Sequence, residues 1–165
     1  MMSTGAVTGT DTSVKKSVTV KCSREHAFEI FNKRYDLWWP KTHKIGSADF
    51  KTAVVEEKVG GRWYEVGVDG STCEWGKVLA YEPPSRVVLA WHTQPNWTHD
   101  PDPNHASRVE ITFTDLGGGQ TRVDLVHSDL ENHGHGWQEM RAQLADGWSS
   151  IMDGYGQAAE KAAAS

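Results

Sequence analysis

Two hydrophobic periods divide the chain. "SVTVKC" (Ser17–Cys22) alternates apolar and polar positions, the period-two pattern of a half-buried strand. Ser23 then stands as an N-cap, and Ala27, Phe28, Ile30 and Phe31 fall on one face of a helix. A second short helix or turn is predicted over "KRYDLWW", stopped by Pro40. From about Phe50 the period returns to two. "FKTAVVEEKV" and "RWYEVGVD" read as strands joined at Gly60-Gly61. Asp69-Gly70 is a two-residue hairpin signal leading into "STCEWGKVLAYE", which Pro83-Pro84 breaks before "RVVLAWHT". Gln94 to about Ala106 holds three prolines and reads as a loop. "SRVEITFTDL" and "QTRVDLVHSDL" then form a hairpin around Gly117–Gly119.

The last segment is helical in period. Trp137, Met140, Leu144, Trp148, Ile151 and Tyr155 recur three or four apart, one face of a long helix. Gly147, Gly154 and Gly156 each weaken it by about 1 kcal/mol relative to Ala. The order predicts an α+β fold: a curved antiparallel sheet of about six or seven strands wrapped around the C-terminal helix, with two short helices after the first strand. Residues 1–16 are small and polar and read as a disordered leader; residues 17–160 read as a single domain.

The hairpin "RWYEVGVDGSTCEWGK" carries the first candidate chemistry. With Asp69-Gly70 as the two turn residues, counting places Glu65 opposite Glu74 and Trp63 opposite Gly76. Trp63, Glu65, Gly67, Thr72, Glu74 and Gly76 would share one face, and Tyr64, Val66, Val68, Cys73 and Trp75 the other. Facing carboxylates repel, so this pair must lie in water, meet cations, or share a proton. Either that face is solvated, or it is a pocket in which two glycines leave room beside two carboxyls and an indole. His127 alternates with Val123 and Leu125 onto the face that Val109, Ile111 and Phe113 occupy on the preceding strand, so it points inward.

Composition changes the picture in one respect: eight tryptophans in 165 residues. So many indoles mean a bulky core or a cavity walled by flat rings. The net charge of −5 argues against non-specific nucleic-acid binding. Lys33, Arg34, Lys41 and Lys44 read as a solvated basic face. No apolar run is long enough to span a membrane and no signal pattern opens the chain, which points to the cytoplasm. Cys22 and Cys73 then read as free thiols. "HGHG" (His133–Gly136) lacks the third ligand of a catalytic zinc site, and no metal is assigned. There is no phosphate-cradling loop, dinucleotide fingerprint or nucleophile elbow, and no cofactor is implied.

Several segments together carry a family resemblance: "AFEIFNKRYDLWWP", "VGGRWYE", "EWGKVLAYEPPSRVVLAW", "RVEITFTDLGGGQTRVDLVHSDLE" and a late "GW". They resemble the SRPBCC proteins of the START and birch-pollen-allergen superfamily, in the branch similar to the C-terminal domain of the heat-shock-chaperone ATPase activator. The resemblance implies a helix-grip fold with a cavity between sheet and C-terminal helix. It also implies a small hydrophobic ligand, aromatic or lipid-like. The residues expected to line that cavity are Trp39, Trp63, Glu65, Glu74, Trp91, Ile111, Phe113, His127, Met140 and Trp148. Two alternatives stand beside ligand binding. One is a cyclase, dehydratase or hydrolase using Glu65, Glu74 or His127 for proton transfer. The other is a chaperone-associated interaction module. The helix stripes are also compatible with a homodimer.

Overall fold

The structure, a computed structural model, describes residues 12–41, 43–44 and 46–164. Most of the expected leader, residues 1–11, lies outside them. Strand β1 spans Val14–Val20 and is followed by helices α1 (Arg24–Lys33) and α2 (Tyr35–Trp38). Six strands follow: β2 (Phe50–Val55), β3 (Arg62–Gly67), β4 (Thr72–Glu82), β5 (Arg86–Trp91), β6 (Ser107–Gly117) and β7 (Gln120–Ser128). Helix α3, Trp137–Ala164, closes the domain. The seven strands form one antiparallel sheet in the order β1-β7-β6-β5-β4-β3-β2. This is the α+β arrangement that the alternation predicted, and the helix-grip fold that the resemblance implied. Among the described residues no helix is long and apolar enough to cross a membrane.

Local chemistry sets the elements. The Ser23 hydroxyl accepts the His26 N–H and starts α1, whose Ala27, Phe28, Ile30 and Phe31 are buried. β1 begins at Val14 rather than Ser17. Val14, Lys15 and Lys16 pair with His127, Val126 and Leu125, and Arg141 on α3 donates to the Thr12 and Ser13 carbonyls. These partners are more than a hundred residues away, beyond the reach of local composition.

Helix α3 packs its apolar stripe on the concave face. Met140, Leu144, Trp148, Ile151 and Tyr155 are buried, and the Tyr155 hydroxyl donates to the Ala27 carbonyl at 2.7 Å. Gly156 answers a packing need: a Cβ there would come within 3.0 Å of Val18 on β1. The helix loses propensity at this position and gains close approach to the sheet.

The β3–β4 hairpin departs from the count. Its connection is three residues, Val68–Gly70, not two. The Gly67 N–H donates to the Ser71 carbonyl at 2.8 Å, Asp69 Oδ1 accepts the Ser71 N–H, and Gly70 takes φ +84°. Glu65 therefore faces Cys73, and Glu74 faces Tyr64. A bulge at Trp75 then restores the pairing of Trp63 with Gly76. A one-residue slip sends a side chain to the opposite face. So Glu74 points away from Glu65, and Trp75 turns inward beside Trp63 and Glu65. The expected carboxylate pair does not form.

Candidate functional site

A cavity of about 400 Å³ opens between helix α3, strands β4 and β5, and the segment after α2. Four indoles wall it: Trp39, Trp75, Trp91 and Trp148. Their rings form a connected surface. Trp39 lies 4.8 Å from Trp75 and 6.0 Å from Trp148, and Trp91 lies 6.1 Å from Trp148, centroid to centroid. Leu144, Gly147 and Ile151 of α3 complete the apolar lining, and Trp97 stands half-exposed at the rim. The polar lining is small: His43, Lys44, Thr93 and Gln143. Gly147 has nothing within 4 Å of the position its Cβ would take, so its missing side chain is cavity volume.

Each of the four wall indoles donates its N–H to the protein. Trp39 Nε1 donates to the His43 carbonyl at 2.8 Å, and Trp91 Nε1 to the Thr93 carbonyl at 3.0 Å. Trp75 Nε1 donates to Glu65 Oε1 at 2.8 Å, and Trp148 Nε1 to His127 Nδ1 at 3.1 Å. A buried indole N–H needs a partner, and these partners fix how each ring is turned. With the N–H groups committed, the walls offer aromatic surface rather than hydrogen-bond donors.

Glu65 and His127 thus act on two walls from behind. Glu65 is 2% exposed and lies under Trp75. His127 is fully buried on β7 and belongs to a longer chain of contacts. Its Nε2 lies 2.7 Å from Ser107 Oγ, and that oxygen lies 2.7 Å from His133 Nε2. The directions follow from Trp148. Because the indole N–H donates to Nδ1, neutral His127 carries its proton on Nε2 and donates to Ser107. The Ser107 hydroxyl is then free to donate to His133 Nε2. Burial drives the His127 pKa down to about 3, with His133 adding repulsion, and drives His133 down to about 4. Both imidazoles are neutral at pH 7, as this chain of bonds requires.

The other expected residues are placed as follows. Trp39, Trp91 and Trp148 line the cavity. Trp63 is buried against Trp75 and Trp91, one layer further from the opening. Ile111, Phe113 and Met140 belong to the closed core, since the curved sheet and α3 meet tightly at that depth. Glu74 lies on the convex face, where Lys77, His99 and Arg62 approach it at 3.6, 3.7 and 4.0 Å. It is a correction to the shared-face reading, and its cause is the three-residue turn. In "HGHG", His133 turns inward to Ser107 while His135 is exposed. Among the described residues no three His, Cys, Asp or Glu side chains come together as a metal site.

Sequence reasoning missed Trp75, Lys44 and Gly147. The bulge hid Trp75. Lys44 sat inside a cluster read as a solvated face. Gly147 carried a legible signal, because it adjoins Trp148 within the apolar helix stripe.

The sequence profile of the "Activator of Hsp90 ATPase homolog 1-like protein" family matches residues 21–159. No curated protein matches significantly. Among solved structures, the chain is similar to the anthrahydroquino-γ-pyrone synthase Txn09, solved with a bound compound. The identity is 35%, covering 88% of this chain and 96% of that one, with a TM-score of 0.64. It is also similar to CalC of Micromonospora echinospora, described as a self-sacrificing resistance protein. There the identity is 26%, covering 93% and 97%, with a TM-score of 0.66. The Aha1 dimer of Colwellia psychrerythraea shares the fold at 15% identity, covering 90% and 96%, with a TM-score of 0.61. The chain belongs to the family of activator of Hsp90 ATPase homolog 1-like proteins.

Proposed function

We propose that the protein binds a planar, largely apolar aromatic molecule in the tryptophan-walled cavity. The observation that carries this reading is the set of four wall indoles whose N–H groups are all committed to protein acceptors. Such walls reward flat rings, by offset stacking and edge-to-face contact, more than they reward hydrogen-bonding chains. A volume of about 400 Å³ lies within the range of small-molecule sites. The similarity to a synthase whose name describes a fused anthrahydroquinone and γ-pyrone supports the same ligand class.

The test is a tryptophan-fluorescence titration with an anthraquinone probe, on the wild type and on Gly147→Leu. Leucine suits a helix better than glycine and fills the lining. Saturable quenching in the wild type that disappears in a folded Gly147→Leu protein supports the cavity reading. Equal quenching in both proteins contradicts it.

The 35% identity to that synthase favours a second reading, in which the bound aromatic is cyclised. Glu65 and His127 are separated from the cavity by Trp75 and Trp148, so proton transfer would fall to the lining groups His43 and Lys44. Conversion of an uncyclised anthraquinone precursor, lost in Lys44→Met and His43→Gln, is the outcome expected of turnover.

A further inference from the structure

The cavity lining is electrostatically one-sided. The chain carries a net charge of −5. Yet the ionisable side chains that line this cavity are Lys44 and His43, and among the described residues no carboxylate lines it. Glu65 lies behind the wall, where its Oε1 accepts the Trp75 N–H and its Oε2 faces the Gly46 backbone. Glu74 is on the other face of the sheet, matched by its own cations.

Lys44 is also held in place. Its Nζ donates to the Gly46 carbonyl at 3.0 Å and the Ser47 carbonyl at 3.3 Å. An ammonium has three N–H groups, so two backbone acceptors leave one for a ligand. Among the described residues Lys44 makes no ion pair with an acidic side chain. The segment that bears it is pinned to the wall through the Trp39 N–H and the His43 carbonyl. A positioned, half-buried ammonium therefore stands beside an aromatic box whose own donors are spent.

We propose that the ligand of this cavity is an aromatic anion: a planar ring system bearing a carboxylate or an ionised phenol that pairs with Lys44. Apolar rings fill the space between the indoles, and the anionic oxygen accepts the remaining Lys44 N–H. This specifies the ligand class within the aromatic-binding reading and rests on it. An anion there gains a charge-assisted hydrogen bond that a neutral isostere lacks.

The experiment compares two probes of the same shape, anthraquinone-2-carboxylate and anthraquinone-2-carboxamide, at neutral pH. Binding is followed by tryptophan quenching in the wild type and in Lys44→Met, which keeps an apolar stem of similar length. The expected result is about a tenfold preference for the carboxylate in the wild type, a ratio typical of one partly solvated charged hydrogen bond. In Lys44→Met the preference falls to near one, because the carboxylate loses more affinity than the carboxamide. Equal affinity of the two probes for the wild type overturns the inference and leaves aromatic binding intact. A preference that survives in Lys44→Met also overturns it. Failure of both probes to bind removes this inference together with the reading beneath it.

Discussion

Glu65 and His127 on the concave side of the sheet, and Glu74 of β4 with His99 of the loop after β5 on its convex side, have different fates. On the concave side, Glu65 and His127 are buried, and each accepts an indole N–H, from Trp75 and Trp148. On the convex side, Glu74 and His99 lie 3.7 Å apart in partial contact with water, and Arg62 and Lys77 share the carboxylate. The residue types are the same and the chemistry is not. Inside, a polar side chain is kept because it orients a ring. Outside, an ion pair among screened charges contributes little. The cavity is shaped by hydrogen bonds placed behind its walls.

The sharpest separation of the two faces is expected in acid. His127 and His133 have folded pKa values depressed to about 3 and about 4, against about 6.5 in the unfolded chain. Below pH ~6.5 the unfolded state binds protons that the folded state refuses. Their contribution is therefore complete above pH ~6.5 and is lost as pH falls towards those folded values. Each imidazole adds up to ~1.4 kcal/mol per pH unit to the slope, several kcal/mol over the window. Urea denaturation across pH should show the slope, and His133→Gln should remove about one imidazole's share. An unchanged slope in that variant would contradict the buried neutral network.

Gly76→Ala is expected to cost about 3 kcal/mol. A Cβ there would overlap the Ala90 carbonyl oxygen, a backbone atom that cannot swing aside, and the bulge that turns Trp75 inward would be displaced. A destabilisation under about 1 kcal/mol in a denaturation midpoint would show that the strands separate more easily than their register implies.

Next come the two glutamates themselves. Glu65→Leu leaves the buried Trp75 N–H without its acceptor and should cost about 1–3 kcal/mol. It should also loosen the Trp75 ring and weaken aromatic binding. In a double-mutant cycle with Trp75→Phe, a coupling above about 0.5 kcal/mol is expected. Glu74→Gln is the smallest effect, within about 1 kcal/mol, because its cations are partly exposed. If the two glutamate variants were equal, the contrast between the faces would collapse.

The sequence made the fold legible to a useful depth. Alternation, the Ser23 cap, the paired prolines and the helix stripe located the strands and α1 and α3 to within a few residues. The inward aim of His127 was also readable, because β6 and β7 alternate without interruption until the distal turn, where the register shifts between Asp115 and Gly117. The β3–β4 hairpin was not readable, for a physical reason. "VDG" can close as a three-residue turn, the next commonest hairpin loop after the two-residue "DG" form, and one extra residue exchanges the faces of every position behind it. The bulge at Trp75 then reverses the exchange midway along the strand. Two compensating irregularities put Trp63, Glu65 and Trp75 together, and a strict alternation cannot express that. Lys44 was misplaced for a different reason. Charge clusters are usually solvated, and only the carbonyls of Gly46 and Ser47 reveal that this one is held at a cavity.

The most direct test of the account is a two-dimensional proton–nitrogen NMR titration of the indole N–H resonances with anthraquinone-2-carboxylate. The chain has eight such resonances, which divide by position. The account predicts the largest saturable shifts at Trp39, Trp75, Trp91 and Trp148, with Trp97 following at the rim, and the smallest at Trp38, Trp63 and Trp137. Shifts confined to Trp137, or spread evenly over all eight, would contradict a ligand held between the sheet and α3.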